Sequence, residues 1–555
     1  TAMSTGKICC LVLLTLAVLA GAVTLVVILS RPRCAAQQYL HGAVAADTER
    51  CSLIGRDILK SGGSAVDAAI AGLICTSVMN PQSSGLGGGV VFTIYNASTG
   101  AVEVINARET APRAFPHNLL PGCGAGFPIG PRWIGVPGEL RGYEEAHKRH
   151  GRLPWKALFE PTIKLLSEPL VISPVLGKIL QHPAFSEPGK SLCPLLCDGG
   201  RFLRLGETFR WPALQRTLRA VAEHGAAAFY EGQIGRALVE DISKAGSSLS
   251  LEDLRAYKAE VSSALNITLN DHTKVFAPGP PMGGAVLMFI LKVLEEYKFH
   301  KASLATPEEK VETYHYIAEA LKFGNMLRPH MSDPAFSEAQ VRSMVYGYMS
   351  NALTCFFVGE DETGKPYKYD CLAKDFENIE TISEIEMKVS FEIPQLLNNW
   401  KTMVWLAEGK VNEPVFLLPC LEPHVKNNIS VSALGEKPPS AMVPSILISK
   451  SGDMLVIGGA GGSWIISATT MAIINKLWFG YDLEHAISAP VMHTQGVSVL
   501  FEDSFSQEVR TGLLERGHKE KKDKLAMNVV QGISKEGKCI SAYSDKRKLG
   551  KSAGY

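Results

Sequence analysis

The stretch that most limits how this chain can fold is Leu455-Val456-Ile457-Gly458-Gly459-Ala460-Gly461-Gly462-Ser463-Trp464-Ile465-Ile466. Its apolar start predicts a buried strand. After five small residues, Ser463 opens an apolar segment reaching Trp478, which predicts a helix. Glycines at a strand-to-helix junction let consecutive N–H groups turn into one small concavity at the positive end of the helix, where negative charge is favoured. Two such groups aimed at a carbonyl oxygen form an oxyanion hole, and the plainer alternative is a tight packing turn. Phosphate binding fits less well. Trp464 stands where a dinucleotide motif needs its third glycine, and no Gly-Lys-Ser/Thr follows for a P-loop.

With 555 residues, 46% apolar and 20% charged, the chain is globular, and it is long enough for a large core and more than one domain. A net charge of +1 supplies no drive toward nucleic acid, and the run Lys519 to Lys524 mixes signs, so no nucleic-acid partner is expected.

Ile8 to Leu29 gives 22 residues without a charge, enough for one membrane crossing, and Arg31-Pro32-Arg33 ends it. Residues 1–7 read as a cytoplasmic tail, 8–29 as a transmembrane signal anchor and 30–40 as a stalk. Lys7 on one side and two arginines on the other leave orientation to other signals. Asn96, Asn266 and Asn428 head Asn-x-Ser/Thr sequons, and ten of the twelve cysteines lie beyond the span. Both point to a lumenal or extracellular, disulfide-permissive setting. Neither Cys-x-x-Cys nor a His-rich zinc spacing occurs, so no metal site is expected. Cys193 and Cys197 bound a short candidate loop.

Further along, Cys51–Lys60 has helical spacing ended by Gly62-Gly63, and Ser64 can cap a second helix, Ala65–Met79, that Pro81 stops. The glycine run Gly85 to Gly89 precedes two strand-like segments, 90–95 and 101–106, which read as a hairpin. Arg108 follows at once. An arginine there is a surface residue, an ion-pair partner, or a fork that clamps a carboxylate with two parallel hydrogen bonds. Residues 133–260 read as mainly helical, and a strand at Lys274–Ala277 leads to a helix over Ala285–Tyr297. Helices that repeatedly follow strands give a layered α/β class.

Taken together, Gly62 to Ile70, Gly85 to Gly89, Ile105 to Glu109, Val136 to Glu139, Gly458 to Gly462 and the terminal Ser552-Ala553-Gly554-Tyr555 resemble the gamma-glutamyltransferase (glutathione hydrolase) family. The resemblance covers a large-subunit-like part, 41–335, and a small-subunit-like part, 434–555. It implies an N-terminal-nucleophile hydrolase fold, a four-layer αββα sandwich, made as a proenzyme that cuts itself into large and small subunits forming a heterodimer. A freed threonine would attack the gamma-glutamyl amide with its own α-amine as base. Substrates would be glutathione and its S-conjugates such as leukotriene C4. By the same resemblance Arg108 and Ser440 bind the glutamyl α-carboxylate, and Gly461 and Gly462 form the oxyanion hole. It also implies disulfides Cys51–Cys75 and Cys193–Cys197, a type II anchor in the plasma membrane with the catalytic domain outside, and no cofactor.

The sequence departs from the family over 336–433, where the nucleophile is expected. Thr354, Thr363, Thr381 and Thr402 are followed by Cys355, Gly364, Ile382 and Met403, and none opens a Thr-x-His-x-Ser segment. Ala441 also stands beside Ser440 where the family has a second serine. The nucleophilic threonine is therefore unassigned. A second reading follows: a catalytically inactive, membrane-anchored pseudoenzyme or aberrant isoform, in which 336–433 replaces core strands of the sandwich.

Overall fold

The computed structural model describes residues 13–16, 18–21, 34–35, 38–114, 134–182, 192–328, 331–336, 356–360, 366–370, 435–521 and 528–555. The four threonines named above, Asn428, most of 336–433 and most of the expected anchor 8–29 lie outside these residues. Among the described residues no helix is long and apolar enough to cross a membrane.

After helical residues at 13–16 and 18–21 come β1 (Gln38–Tyr39) and β2 (Ala43–Ala46), then α1 (Glu49–Lys60) and α2 (Ala65–Met79). Each helix start has a local cause. Thr48 accepts from the Cys51 N–H, and Ser64 and Asp67 form a reciprocal capping box. Between them Gly62 turns back at φ 87°, a conformation only glycine adopts without strain. The Cys51–Cys75 disulfide joins the two helices. The hairpin β3 (Val90–Tyr95) and β4 (Val102–Ala107) follows, then α3 (Glu139–His150). The region after α3 is largely helical and carries short paired strands, 170–171 with 208–209 and 197–198 with 201–202. Cys193–Cys197 is bonded there.

Next come β5 (Glu260–Ser263), β6 (Leu265–Thr268), β7 (Lys274–Ala277), α4 (Gly284–Glu295) and α5 (Pro307–Leu327). The C-terminal part supplies β8 (Ser445–Ile448), β9 (Met454–Ala460), α6 (Ile465–Leu477), α7 (Leu483–Ser488), β10 (Met492–Gln495), α8 (Gln507–Glu515), β11 (Val529–Glu536), β12 (Cys539–Ser544) and β13 (Lys551–Gly554).

Seven strands form one antiparallel sheet in the order β1-β12-β11-β9-β8-β7-β6, so strands from before residue 335 and after residue 434 share it. A second sheet runs β3-β4-β5. The period-two alternation of strands sorts side chains into layers. Val102, Val104, Val91 and Tyr95 from the smaller sheet meet Ile446, Ile448, Phe276 and Met454 from the larger one. On its other face the larger sheet presents Val275, Leu447, Leu455, Ile457 and Val530 to α4, α6 and α7. The smaller sheet presents Val90, Phe92 and Ile105 to α3, behind which α2 packs. Helices, sheet, sheet, helices: the described residues build an αββα sandwich. The hairpin 356–360/366–370 pairs only with itself among the described residues.

Candidate active site

The glycine stretch differs in detail from the expectation drawn from sequence. Gly458, Gly459 and Ala460 are strand residues of β9, paired with Gln531, Val530 and Val529 of β11. The turn itself is Gly461 and Gly462, with φ of 135° and 62°. A short 3-10 turn, Gly462–Trp464, comes before α6, so the helix opens at Ile465 and not at Ser463. The cause is steric. Gly461 lies against Asn528, and the chain must turn there with a backbone conformation that other residues rarely adopt.

Arg108 follows directly on β4 and is buried. Its Nε donates to the Pro438 carbonyl at 2.5 Å and its Nη2 to the Pro439 carbonyl at 3.2 Å, the two residues before Ser440. Nη1 lies 3.3 Å from the Glu109 carboxylate. The backbone at Arg108 is held too: its carbonyl accepts from the Tyr257 hydroxyl at 2.7 Å. Ser440 is buried. Its N–H donates to Pro281, and its Oγ accepts from the Met442 N–H. Gly283 connects this segment to the glycine turn. Its N–H bonds Met442, and a methyl on it would lie 2.7 Å from Ile466 and 2.9 Å from Val443. Arg108, Ser440 and the start of α6 are thus gathered around the 278–284 loop.

Beneath Arg108 lies a buried acid that sequence reasoning named only as part of a motif. Gly88 offers its carbonyl to the N–H groups of Gly138 and Glu139 at 2.6 and 2.8 Å. A side chain at Gly138 would strike the Ala107 carbonyl and the Tyr257 hydroxyl, so only glycine lets these segments meet. The carboxyl of Glu139 is bonded by the Tyr143 hydroxyl. Burial raises its pKa to about 8 against the lowering effect of the Tyr143 bond, and the neighbouring Glu109 charge adds to the rise. The signal available in sequence was an acid directly after Pro137-Gly138, with no clue to its burial.

Two further clusters were missed. Ser467 Oγ lies 2.8 Å from His493 Nδ1, and Trp464 packs on the His493 ring. A serine and a histidine beside this glycine turn suggest a nucleophile and its base. Both are sealed from solvent, at 0% and 2% exposure, so no substrate carbonyl reaches Ser467. The pair instead fastens α6 to β10. Burial, with Arg328 adding to the effect, lowers the His493 pKa to about 3.

The second cluster joins α5 to the segment after α8. Lys322 donates to Glu319 at 2.7 Å and meets His518 Nδ1 at 2.9 Å, while His518 Nε2 meets His315 Nδ1 at 2.8 Å. An ammonium can only donate, so His518 accepts on Nδ1 and carries its proton on Nε2, directed at His315. His315, Glu319 and His518 are close enough together to ligate a metal. The Lys322 ammonium already serves Glu319 and His518 as the cation, and the ring nitrogen that would ligate is the one holding a proton. The donor set fits a hydrogen-bonded network and not a metal centre.

The family profile described as gamma-glutamyltranspeptidase matches residues 51–355 and 416–555. The chain belongs to that family. The glutathione hydrolase 5 proenzyme of Homo sapiens is 44% identical over 586 residues, covering 99% of this chain and 99% of that protein. Scoloptoxin SSD14 of Scolopendra dehaani is 32% identical, with 92% of each chain covered. Among solved structures, the cephalosporin acylase from Bacillus halodurans superposes with a TM-score of 0.73 at 22% identity, covering 94% of this chain and 97% of that one. This last likeness bears on the mixed α/β fold alone. The gamma-glutamyltranspeptidase profile leaves residues 356–415 unmatched, a narrower stretch than the 336–433 expected to depart from the family, because 336–355 and 416–433 lie within the matched residues. Full-length similarity to a named hydrolase proenzyme does not favour the inactive alternative.

Proposed function

We propose that this chain is a glutathione hydrolase and gamma-glutamyltransferase, acting on glutathione and glutathione S-conjugates of the leukotriene C4 type. The 44% identity to a glutathione hydrolase 5 proenzyme across nearly the whole chain carries this reading. In it the chain is cut into a large and a small subunit that stay together as a heterodimer. The freed threonine attacks the gamma-glutamyl carbonyl and expels the cysteinyl amine. Water or an acceptor amine then releases the acyl group.

The geometry supports the following local roles. Gly461 and Gly462 supply N–H groups for the developing oxyanion. The carbonyls of Pro438 and Pro439 orient the Arg108 fork, whose five N–H groups are not exhausted by them, so positions on Nη1 and Nη2 remain for the glutamyl α-carboxylate beside Glu109. Ser440 adds a hydroxyl.

The same reading places residues 8–29 as a type II plasma-membrane anchor with the catalytic part outside. Support comes from the uncharged 22-residue run and from Asn96 and Asn266, both exposed.

A denaturing gel with a glutamate-release assay tests the enzyme. Two fragments summing to 60.0 kDa and glutamate freed from glutathione are expected. One uncut band with no glutamate released sinks the reading. Glycosidase-sensitive mass at Asn96 and Asn266, with protection from external protease limited to the first residues, tests the topology.

A further inference from the structure

We propose that the Cys34–Cys539 disulfide is a covalent tie between the two products of chain cleavage, so that the cut protein is a disulfide-linked heterodimer. The proposal rests on the cleavage reading above and adds to it how the products are held.

The bond joins residues 505 apart. Cys34 precedes the departing interval and Cys539 follows it, so any cut within 336–433 leaves the two sulfurs on different fragments. The other disulfides of the described residues cannot do this. Cys51–Cys75 and Cys193–Cys197 both lie in the large-subunit-like part.

The site is built around the bond. Ala35 and Gln38 are joined by two reciprocal hydrogen bonds, the Gln38 N–H to the Ala35 carbonyl at 3.0 Å and the Ala35 N–H to Gln38 Oε1 at 2.9 Å. β1 lies at the edge of the main sheet, where Gln38 pairs with Ser541 and Tyr39 with Ile540 of β12. Gln38 Nε2 also donates to Ser541 Oγ at 3.1 Å. Cys539 is the first residue of that same β12. The two-residue strand is too short to hold by itself, and the disulfide fixes its register against β12. An oxidising compartment, which the cysteine usage indicates, lets the bond persist.

The test uses the full chain from a secretory host. After cleavage, a reducing gel shows two fragments and a non-reducing gel shows one species at the uncut mass. Cys34→Ser and Cys539→Ser each give two bands without reductant. A tryptic digest of the unreduced protein, alkylated first, gives a linked pair of peptides, Cys34–Arg50 with Cys539–Lys546, which reports the bond in the wild-type chain even where a variant fails to fold. If the chain is uncut under reducing conditions, the cleavage reading fails. The tie is then read on a variant carrying an inserted protease site between residues 371 and 434, cut by the added protease. Two wild-type bands without reductant, absence of the linked peptides, or variants that stay linked would each overturn the proposal.

Discussion

Gly461 backs directly onto Asn528: a side-chain carbon on Gly461 would stand 2.5 Å from Asn528 Cα and 3.0 Å from its Cβ. With φ at 135°, Gly461→Ala meets both a clash and a strained backbone. The backbone strain costs about 1–3 kcal/mol, and displacing an oxyanion donor lowers kcat about 100-fold or more. The expected result is a lowered melting temperature together with that loss in kcat for glutamate release. A kcat within twofold of wild type would remove this turn from the oxyanion role.

Arg108 spans two adjacent carbonyls, and this needs a planar fork. Arg108→Lys keeps the charge but offers a single point donor, which loses a charge-assisted contact of about 1.5–3 kcal/mol. KM for glutathione should rise roughly 10- to 100-fold by that figure. An unchanged KM would leave Arg108 as a structural tie for residues 438–440.

Glu139 holds its proton in the folded state up to a pKa of about 8, against an ordinary value of 4.5. Between these values the folded form binds more protons than the unfolded one, so this group's contribution to stability falls as pH rises from 4.5 through 8. Glu139→Gln removes the titration. Comparing melting temperatures of the two proteins at pH 6 and pH 9, the variant should lose less on going to pH 9. Parallel shifts would show that Glu139 is ionised when folded.

Three buried histidines act in the opposite direction. Burial lowers the pKa of His315 to about 4 and of His493 and His518 to about 3. Above the unfolded value near 6.5 they contribute nothing to pH dependence. As pH falls below it, the unfolded chain gains protons that the folded chain refuses, at about 1.4 kcal/mol per pH unit for each histidine. Stability measured by denaturant titration should drop steeply from pH 6.5 to pH 4. His493→Gln should flatten that slope, and an unaltered slope would mean that His493 is protonated in the folded state.

Features set by near neighbours along the chain could be read directly from sequence. The cap at Ser64 and the hairpin before Arg108 each depend on a few adjacent residues. The family resemblance rested on such short runs as well. Tertiary structure decided the rest. Whether Gly458 to Ala460 belong to a turn or a strand depended on β11 pairing with β9, some 70 residues away, and the helix start moved to Ile465 with it. The Cys34–Cys539 bond, the proton on Glu139, and the encounter of Lys322 with His518 across 196 residues left no local trace. Burial and desolvation arise only when distant segments close on one another, and an acid, a lysine or a cysteine looks the same in sequence whether water reaches it or not.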